Sequence, residues 1–431
     1  MQSEETPPAS ADPAVAPEPL PVPGAKPSHP IFTRYFRSLW IGVTISQLGD
    51  QFYLVALPWL VLQLTGSSLA LGTILMTAAV PRAALMLVGG AVTDRVSARR
   101  VLMMTASSRA VLVGTVAALI WFDAIQLWEL YVLTFAFGVA DAFSYPAGSA
   151  LMPTLVEPEQ LPAANSLLQS TAVATQILGP PPVGMAIKSW GIASGLFLDA
   201  VSFLAVLAAM LRIPDPAPAV PATPAAPGAP PRPGMLQSIG EGLSAVRKDS
   251  ALRSLILVSA MINICISGPI GVGLAAVAKF RFGSVEAFGI MLTCFSAGAL
   301  AGMLTGGLVK RPRKRGLQLI VASGLGGLEM IAIGLAMKLY AVAALLAVMG
   351  FGVGFVNVQF SAWMQGRVER SLLGRVSSVM MFTAVGLVPL SYAAAGFLAQ
   401  WSLPALFITA GALLTATSAL AVTGKAAREI D

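Results

Sequence analysis

Asp50, Arg82, Arg109 and Asp141 interrupt long apolar stretches of this 431-residue chain. A charge in such surroundings is costly, faces the interior of a helix bundle and marks an ion or ligand pathway. Two acids and two bases balance. Counted from the inner ends of their segments at about 1.5 Å per residue, all four lie roughly 12–17 Å deep, so they are expected in one layer. Two chemistries are open to such a layer. Asp50 and Asp141 can stay permanently paired with their charge partners Arg82 and Arg109. Alternatively, one acid loses its partner during motion and takes up a proton. Asp50 stands out because Gln47, Asp50 and Gln51 fall at i, i+3 and i+4 and form one polar helix face. Glu329 is a third proton-coupling candidate; snorkelling to the membrane surface or staying neutral are the other roles open to it.

The elements that must position these residues are membrane helices. Mean hydropathy is +0.78, and charged residues make up only 11% of the chain, which excludes most soluble functions. Twelve apolar segments are long enough to cross a hydrocarbon layer of ~30 Å. They run over roughly 39–64, 69–92, 101–122, 127–152, 163–188, 191–212, 252–279, 285–309, 316–337, 340–365, 374–399 and 402–423. Of 27 Lys and Arg residues, 21 fall in stretches on one side of these segments. Lys188, Lys279, Arg281 and Lys338 fall on the other side, while Arg82 and Arg109 lie inside segments. Positive loops stay cytoplasmic during insertion, so both termini are expected in the cytoplasm, in a cell membrane of the bacterial inner-membrane type. The net charge of +7 then reflects helix orientation and contact with anionic headgroups of the lipid bilayer, with no nucleic-acid partner. Cys265 and Cys294 sit in apolar segments as packing residues. A single histidine, His29, leaves no metal site or histidine-based catalytic set, and no phosphate-binding loop is present. No cofactor and no enzymatic activity are expected.

Residues 1–30, rich in Pro and Ala, are expected to form a disordered cytoplasmic tail. Residues 31–212 form a first six-helix half and 251–423 a second, with a short tail over 424–431. Between them, 213–250 combines a Pro/Ala-rich linker with an amphipathic stretch, Met235 to Ser250, expected to lie on the membrane surface. Two weak repeats relate the halves: Gly89-Gly90 recurs as Gly306-Gly307, and Thr171-Ala172-Val173 as Thr383-Ala384-Val385. Parallel halves of this kind place a substrate site between them near mid-membrane.

The loop after the second segment reads Gly90-Ala-Val-Thr-Asp94-Arg95-Val-Ser-Ala-Arg99-Arg100. It resembles the signature loop of the major facilitator superfamily, with Ser97 where the family has its second Gly. Leu48-Gly49-Asp50, Ala164-Asn165-Ser166, Gly179-Pro180, Asp199-Ala-Val-Ser-Phe203 and Gly374-Arg375-Val376-Ser377 extend the likeness across residues 31–423. Together they resemble the drug and siderophore exporter branch, which includes macrolide efflux and enterobactin export proteins. The resemblance implies an all-α membrane fold of twelve helices. It also implies that Gly90, Asp94, Arg95, Arg99 and Arg100 latch one state of the transport cycle, against the alternative of a solvated topogenic loop. Gly179, Pro180 and Gly184 resemble an exporter-associated motif in the fifth helix, and a simple packing kink is the alternative. Asp199, in a stretch similar to a structural part of the family, is expected to be hydrogen-bonded in packing.

In the family, helices 1, 4, 7 and 10 line the cavity. Gln47, Gln51, Ser144, Asn263, Asn357 and Ser361 are the candidate polar anchors there, with Trp59, Phe143, Phe360 and Trp363 as aromatic surface. The expected function is proton-coupled efflux of hydrophobic or amphipathic small molecules by alternating access, the chain acting as a monomer. Alternatives are siderophore or metabolite export, lipid flipping on the same fold, or a non-transporting scaffold or sensor.

Overall fold

The computed structural model describes residues 31, 33–93, 96–215, 250–309, 315–367, 380 and 383–423. The expected N-terminal tail, the surface helix apart from Ser250, nearly all of the linker and the C-terminal tail fall outside them. The first half contains α1 (Arg34–Thr65), α2 (Ser68–Thr93), α3 (Ala98–Trp121), α4 (Leu127–Leu151), α5 (Leu161–Leu178) and α6 (Pro180–Arg212). Two membrane crossings share α6, since Gly191 breaks it with φ 84° and ψ 168°. The fifth crossing is therefore α5 plus the first part of α6.

The second half contains α7 (Ser250–Gly268), the short α8 (Leu274–Val277), α9 (Val285–Leu308), α10 (Arg315–Leu335), α11 (Leu339–Arg367), α12 (Val388–Trp401) and α13 (Leu403–Thr423). The seventh crossing, expected over roughly 252–279, is not α-helical throughout. It contains two π-helical turns, Pro269–Gly273 and Ala278–Phe282, on either side of α8. Pro269 cannot donate a backbone hydrogen bond, and a wide turn accommodates that loss. Nine helices among the described residues are long and apolar enough to cross a membrane, and Ile320–Leu335 is a shorter apolar helix.

Local sequence sets the helix ends. Gly66 closes α1 at φ 61°, its N–H bonded to the Leu62 carbonyl. Gln126 and Glu129 form a reciprocal capping box on α4, and the Ser284 hydroxyl accepts from the Ala287 N–H at the start of α9. Outward faces carry large exposed apolar residues such as Met104, Val111, Trp128, Leu204 and Phe397, as expected where the solvent is lipid.

Packing repeats between the halves. In the first, α2 packs on α4, α3 on α4 and α6, and α1 on α6. In the second, α9 packs on α11, α10 on α11 and α13, and α7 on α13. The seam between α9 and α11 brings backbone against backbone: a Cβ on Gly302 would lie 2.0 Å from the Phe351 carbonyl, and one on Gly354 would lie 2.0 Å from the Ala299 carbonyl. The two halves meet through α2 with α12 and through α5 and α6 with α9. These contacts gather at the end of the bundle that carries the Gly66 and Gly283 turns, called the distal end below.

Candidate functional site

Two chambers open inside the bundle. The first, of about 800 Å³, lies between the halves and is lined from α1 to α5 on one side and by α7, α9 and α12 on the other. Asp50, Arg82, Arg109 and Asp141 all line it, with Gln47, Gln51, Tyr53, Thr175 and Gln176. Arg109 is the hub. Its Nη2 donates to Asp50 Oδ1 at 2.7 Å, and its Nη1 lies 3.8 Å from Asp141 Oδ1. Arg82 pairs with the other oxygen of Asp141 at 3.2 Å. The chain Asp50–Arg109–Asp141–Arg82 thus joins four different helices, α1, α3, α4 and α2.

Exposure within this network is graded. The Arg109 side chain is 14% exposed, whereas that of Arg82 is 56% exposed into the chamber. The Arg109 guanidinium also sits 4.3 Å from the Phe203 ring centre and 4.8 Å from that of Phe137. Phe137 stacks in turn on Tyr53, with ring centres 4.5 Å apart. Arg109 is therefore held by two carboxylates and two aromatic faces, an environment suited to a planar, weakly hydrated cation.

Asp199 departs from expectation. It is fully buried on α6, and neither carboxyl oxygen makes a hydrogen bond within the described protein. The neighbouring Ser202 hydroxyl donates instead to the Asp199 backbone carbonyl. Both side chains press on Gly49 of α1, where a Cβ would fall 2.8 Å from Asp199 Oδ1. A helical Ser bonds most readily to its own i−3 carbonyl, which explains why the carboxyl is left without this donor.

The second chamber, of about 710 Å³, lies in the second half among α7, α10, α11, α13 and residues 380 and 384. Asn263, Asn357 and Glu329 line it, together with apolar and aromatic side chains including Phe351, Phe355 and Phe360. Glu329 is thus separated from Asp50 and Asp141, although Ile266 and Ala384 border both chambers. Ser144 and Ser361 are not among the described residues lining either one. Trp363 is buried beside Phe360, and Trp59 is buried under Lys279.

Of the loop motif, Asp94 and Arg95 lie outside the described residues, and the backbone of Gly90 is in the last turns of α2. Arg99 donates to the Met210 carbonyl at 2.7 Å. Arg100 pairs with Asp215 at 2.9 Å, and the Ser97 hydroxyl bonds the same carboxylate. These bonds join α3 to the end of α6 within one half. The Ser97 hydroxyl, and then the Arg100 guanidinium, hold the Asp215 carboxyl below the usual carboxylate range. Of the fifth-helix motif, Gly179 approaches Gln51 so closely that a Cβ would sit 2.4 Å from its Cγ. Pro180 opens α6 with its carbonyl against Gly289 of α9, and Gly184 packs on the Val285–Glu286 backbone. The motif therefore lies between the chamber and the contact joining the halves.

Sequence reasoning missed the distal contacts. Lys188 and Glu286 pair across the halves at 2.5 Å, and Lys279 sits 4.7 Å over the Trp59 ring. Arg281 donates to the Ile333, Gly334 and Ala336 carbonyls and caps the end of α10. All three cations had been read only for the side of the membrane they occupy. Glu286, two residues after the Ser284 cap, was the available signal for an acid facing Lys188.

The family model for the Major Facilitator Superfamily matches residues 39–391. The chain is 28% identical over 393 residues to the multidrug efflux pump Tap of Mycolicibacterium fortuitum, covering 89% of this chain and 94% of that protein. It is 23% identical over 350 residues to macrolide efflux protein A of Streptococcus pyogenes, covering 80% and 84%. A solved bacterial homologue of the iron transporter ferroportin, in an inward-facing state, superimposes with a TM-score of 0.66 at 18% identity over 90% of this chain and 98% of that one. With twelve crossings in two repeated halves and a charged chamber between them, the chain belongs to the Major Facilitator Superfamily of membrane transporters.

Proposed function

We propose that this transporter exports hydrophobic or amphipathic small molecules from the cytoplasm in exchange for protons. The observation that carries the reading is the Asp50–Arg109–Asp141–Arg82 network on the wall of a chamber shared by both halves. Its charges belong to four helices, so a small helix rearrangement separates a carboxylate from its cation. A carboxylate stripped of its counter-charge in an apolar cavity is neutralised by taking a proton. Asp50 is the member on α1, whose polar face with Gln47 and Gln51 meets Gly179 of the fifth-helix motif. That closeness to the contact between halves supports Asp50 as the site where proton binding couples to alternating access. Efflux as the direction is supported by the likeness to the macrolide and multidrug efflux proteins. The positive-loop bias supports cytoplasmic termini, which puts the distal end outside the cell. The chain works as a monomer in this reading, since both chambers are built from one copy.

The test uses inside-out vesicles enriched in the protein and energised by a proton gradient, with uptake of amphipathic dyes compared between wild type and Asp50→Asn. Gradient-dependent uptake that disappears in the variant at normal protein level is the expected result. Uptake unchanged in Asp50→Asn would return Asp50 to a structural role, and no uptake of any dye by wild type would remove the proposed substrate class.

A further inference from the structure

The second chamber contains one charged side chain among the described residues that line it, Glu329 of α10. Among the described residues its carboxylate makes no ion pair or hydrogen bond, and no cation is among those that line the same space. Around it the wall is mostly apolar and aromatic, with Phe351 and Phe355 as near-parallel rings 6.4 Å apart and Phe360 further along α11. Asn263 has one amide hydrogen committed to the Ser259 carbonyl. The first chamber differs in that each of its lining acids already has an arginine. A lone carboxylate among aromatic faces, in a volume large enough for a drug-sized molecule, is complementary to a delocalised organic cation.

We infer that the second chamber is a binding site for lipophilic monocations, with Glu329 as the counter-charge and the α11 aromatics as the apolar cradle. The inference rests on the proposed export of amphipathic molecules and assigns their recognition to a place distinct from the proton-handling network. Neutral amphiphiles use the same walls without the carboxylate.

The experiment measures equilibrium binding of tetraphenylphosphonium, and of an uncharged amphipathic dye, to the purified full-length protein in detergent. Wild type is compared with Glu329→Gln and Glu329→Asp. Glu329→Gln is expected to bind the cation at least about tenfold more weakly, the loss of one desolvated charge pair, while keeping its affinity for the dye. Glu329→Asp is expected to retain most cation binding. Should Glu329→Gln fail to fold, wild type alone still decides, because bound tetraphenylphosphonium should slow carbodiimide modification of Glu329. Equal cation affinity in wild type and Glu329→Gln, or no protection, overturns the inference and leaves export standing. Wild type that binds the dye but no cation overturns it in the same way. Wild type that binds neither compound overturns both this site and the proposed substrate class.

Discussion

The two chambers solve the problem of a buried charge in opposite ways. In the first, Asp50 and Asp141 share Arg109, and Arg82 completes a balanced set drawn from four helices. In the second, Glu329 is the one charged side chain among the described lining residues, most of which are aromatic or aliphatic. Such a network resists the loss of its buried hub, Arg109, because two carboxylates are then left without their shared cation in a low dielectric. A lone acid has no partner to strand. At the buried hub of that pairing, a charge change should therefore damage the fold. At the lone acid, the same kind of change should alter only what binds.

The largest effect is expected at the hub. Arg109→Ala removes the cation from Asp50 and Asp141 together and should cost about 3–5 kcal/mol, the usual penalty for breaking a buried pair. Thermal unfolding in detergent would show it, and transport should be abolished. Glu329→Gln should leave the unfolding temperature near that of wild type. Equal destabilisation by both variants would erase the distinction between the chambers.

Next in size is the α9–α11 seam. Gly302→Leu should cost about 1–3 kcal/mol or more from overpacking against the Phe351 carbonyl. The same measurement checks it, and a neutral outcome would mean that the second half yields more than its packing shows.

Arg82→Gln sharpens the comparison inside the first chamber. Its side chain is largely exposed to the chamber, so its loss should cost only about 1 kcal/mol or less in stability. The effect on gradient-driven uptake should exceed that on unfolding. A loss of stability as large as that of Arg109→Ala would show that the network has no hub.

At the distal end, Lys188→Glu should shift the balance between the two open states by no more than about fivefold, in keeping with a partly exposed pair. The double variant Lys188→Glu/Glu286→Lys should restore it. Distances between spin labels on the two halves would report both.

The smallest effect concerns Asp215. Its carboxyl is held below the ordinary range in the fold, so its contribution is present above the unfolded-state pKa. That contribution is lost as pH falls through the lower folded value. Asp215→Asn should flatten this slight acid-side dependence in unfolding measurements and leave neutral-pH transport unchanged.

Much of this was legible in the chain. The positive-loop bias and segment lengths gave twelve crossings, and counting residues from helix ends placed Asp50, Arg82, Arg109 and Asp141 in one layer, where the structure brings them into contact. Depth along a helix follows directly from its rise. Rotation about the helix axis does not, which is why Glu329 was grouped with Asp50 although it faces a different chamber. Asp199 was expected to be bonded, and instead lies buried against Gly49 with its nearest hydroxyl committed to the backbone. The π turns of the seventh crossing were hidden for a similar reason. Gly268-Pro269 announces a local departure from α geometry, but whether the chain kinks or widens is decided by α12, whose Ser391 hydroxyl receives the Gly268 N–H at 2.7 Å.

The Gly302 and Gly354 contacts carry one more implication. Two helices whose backbones touch along their length have no side-chain cushion with which to slide, tilt or rotate against each other. They behave as a single beam. Any motion imposed on α9 at the distal contact with α6 is therefore delivered undiminished to α11, and so to Asn357 and Phe360 on the chamber wall. The second half has fewer joints than helices, and the linkage runs from the distal contact straight to the second chamber.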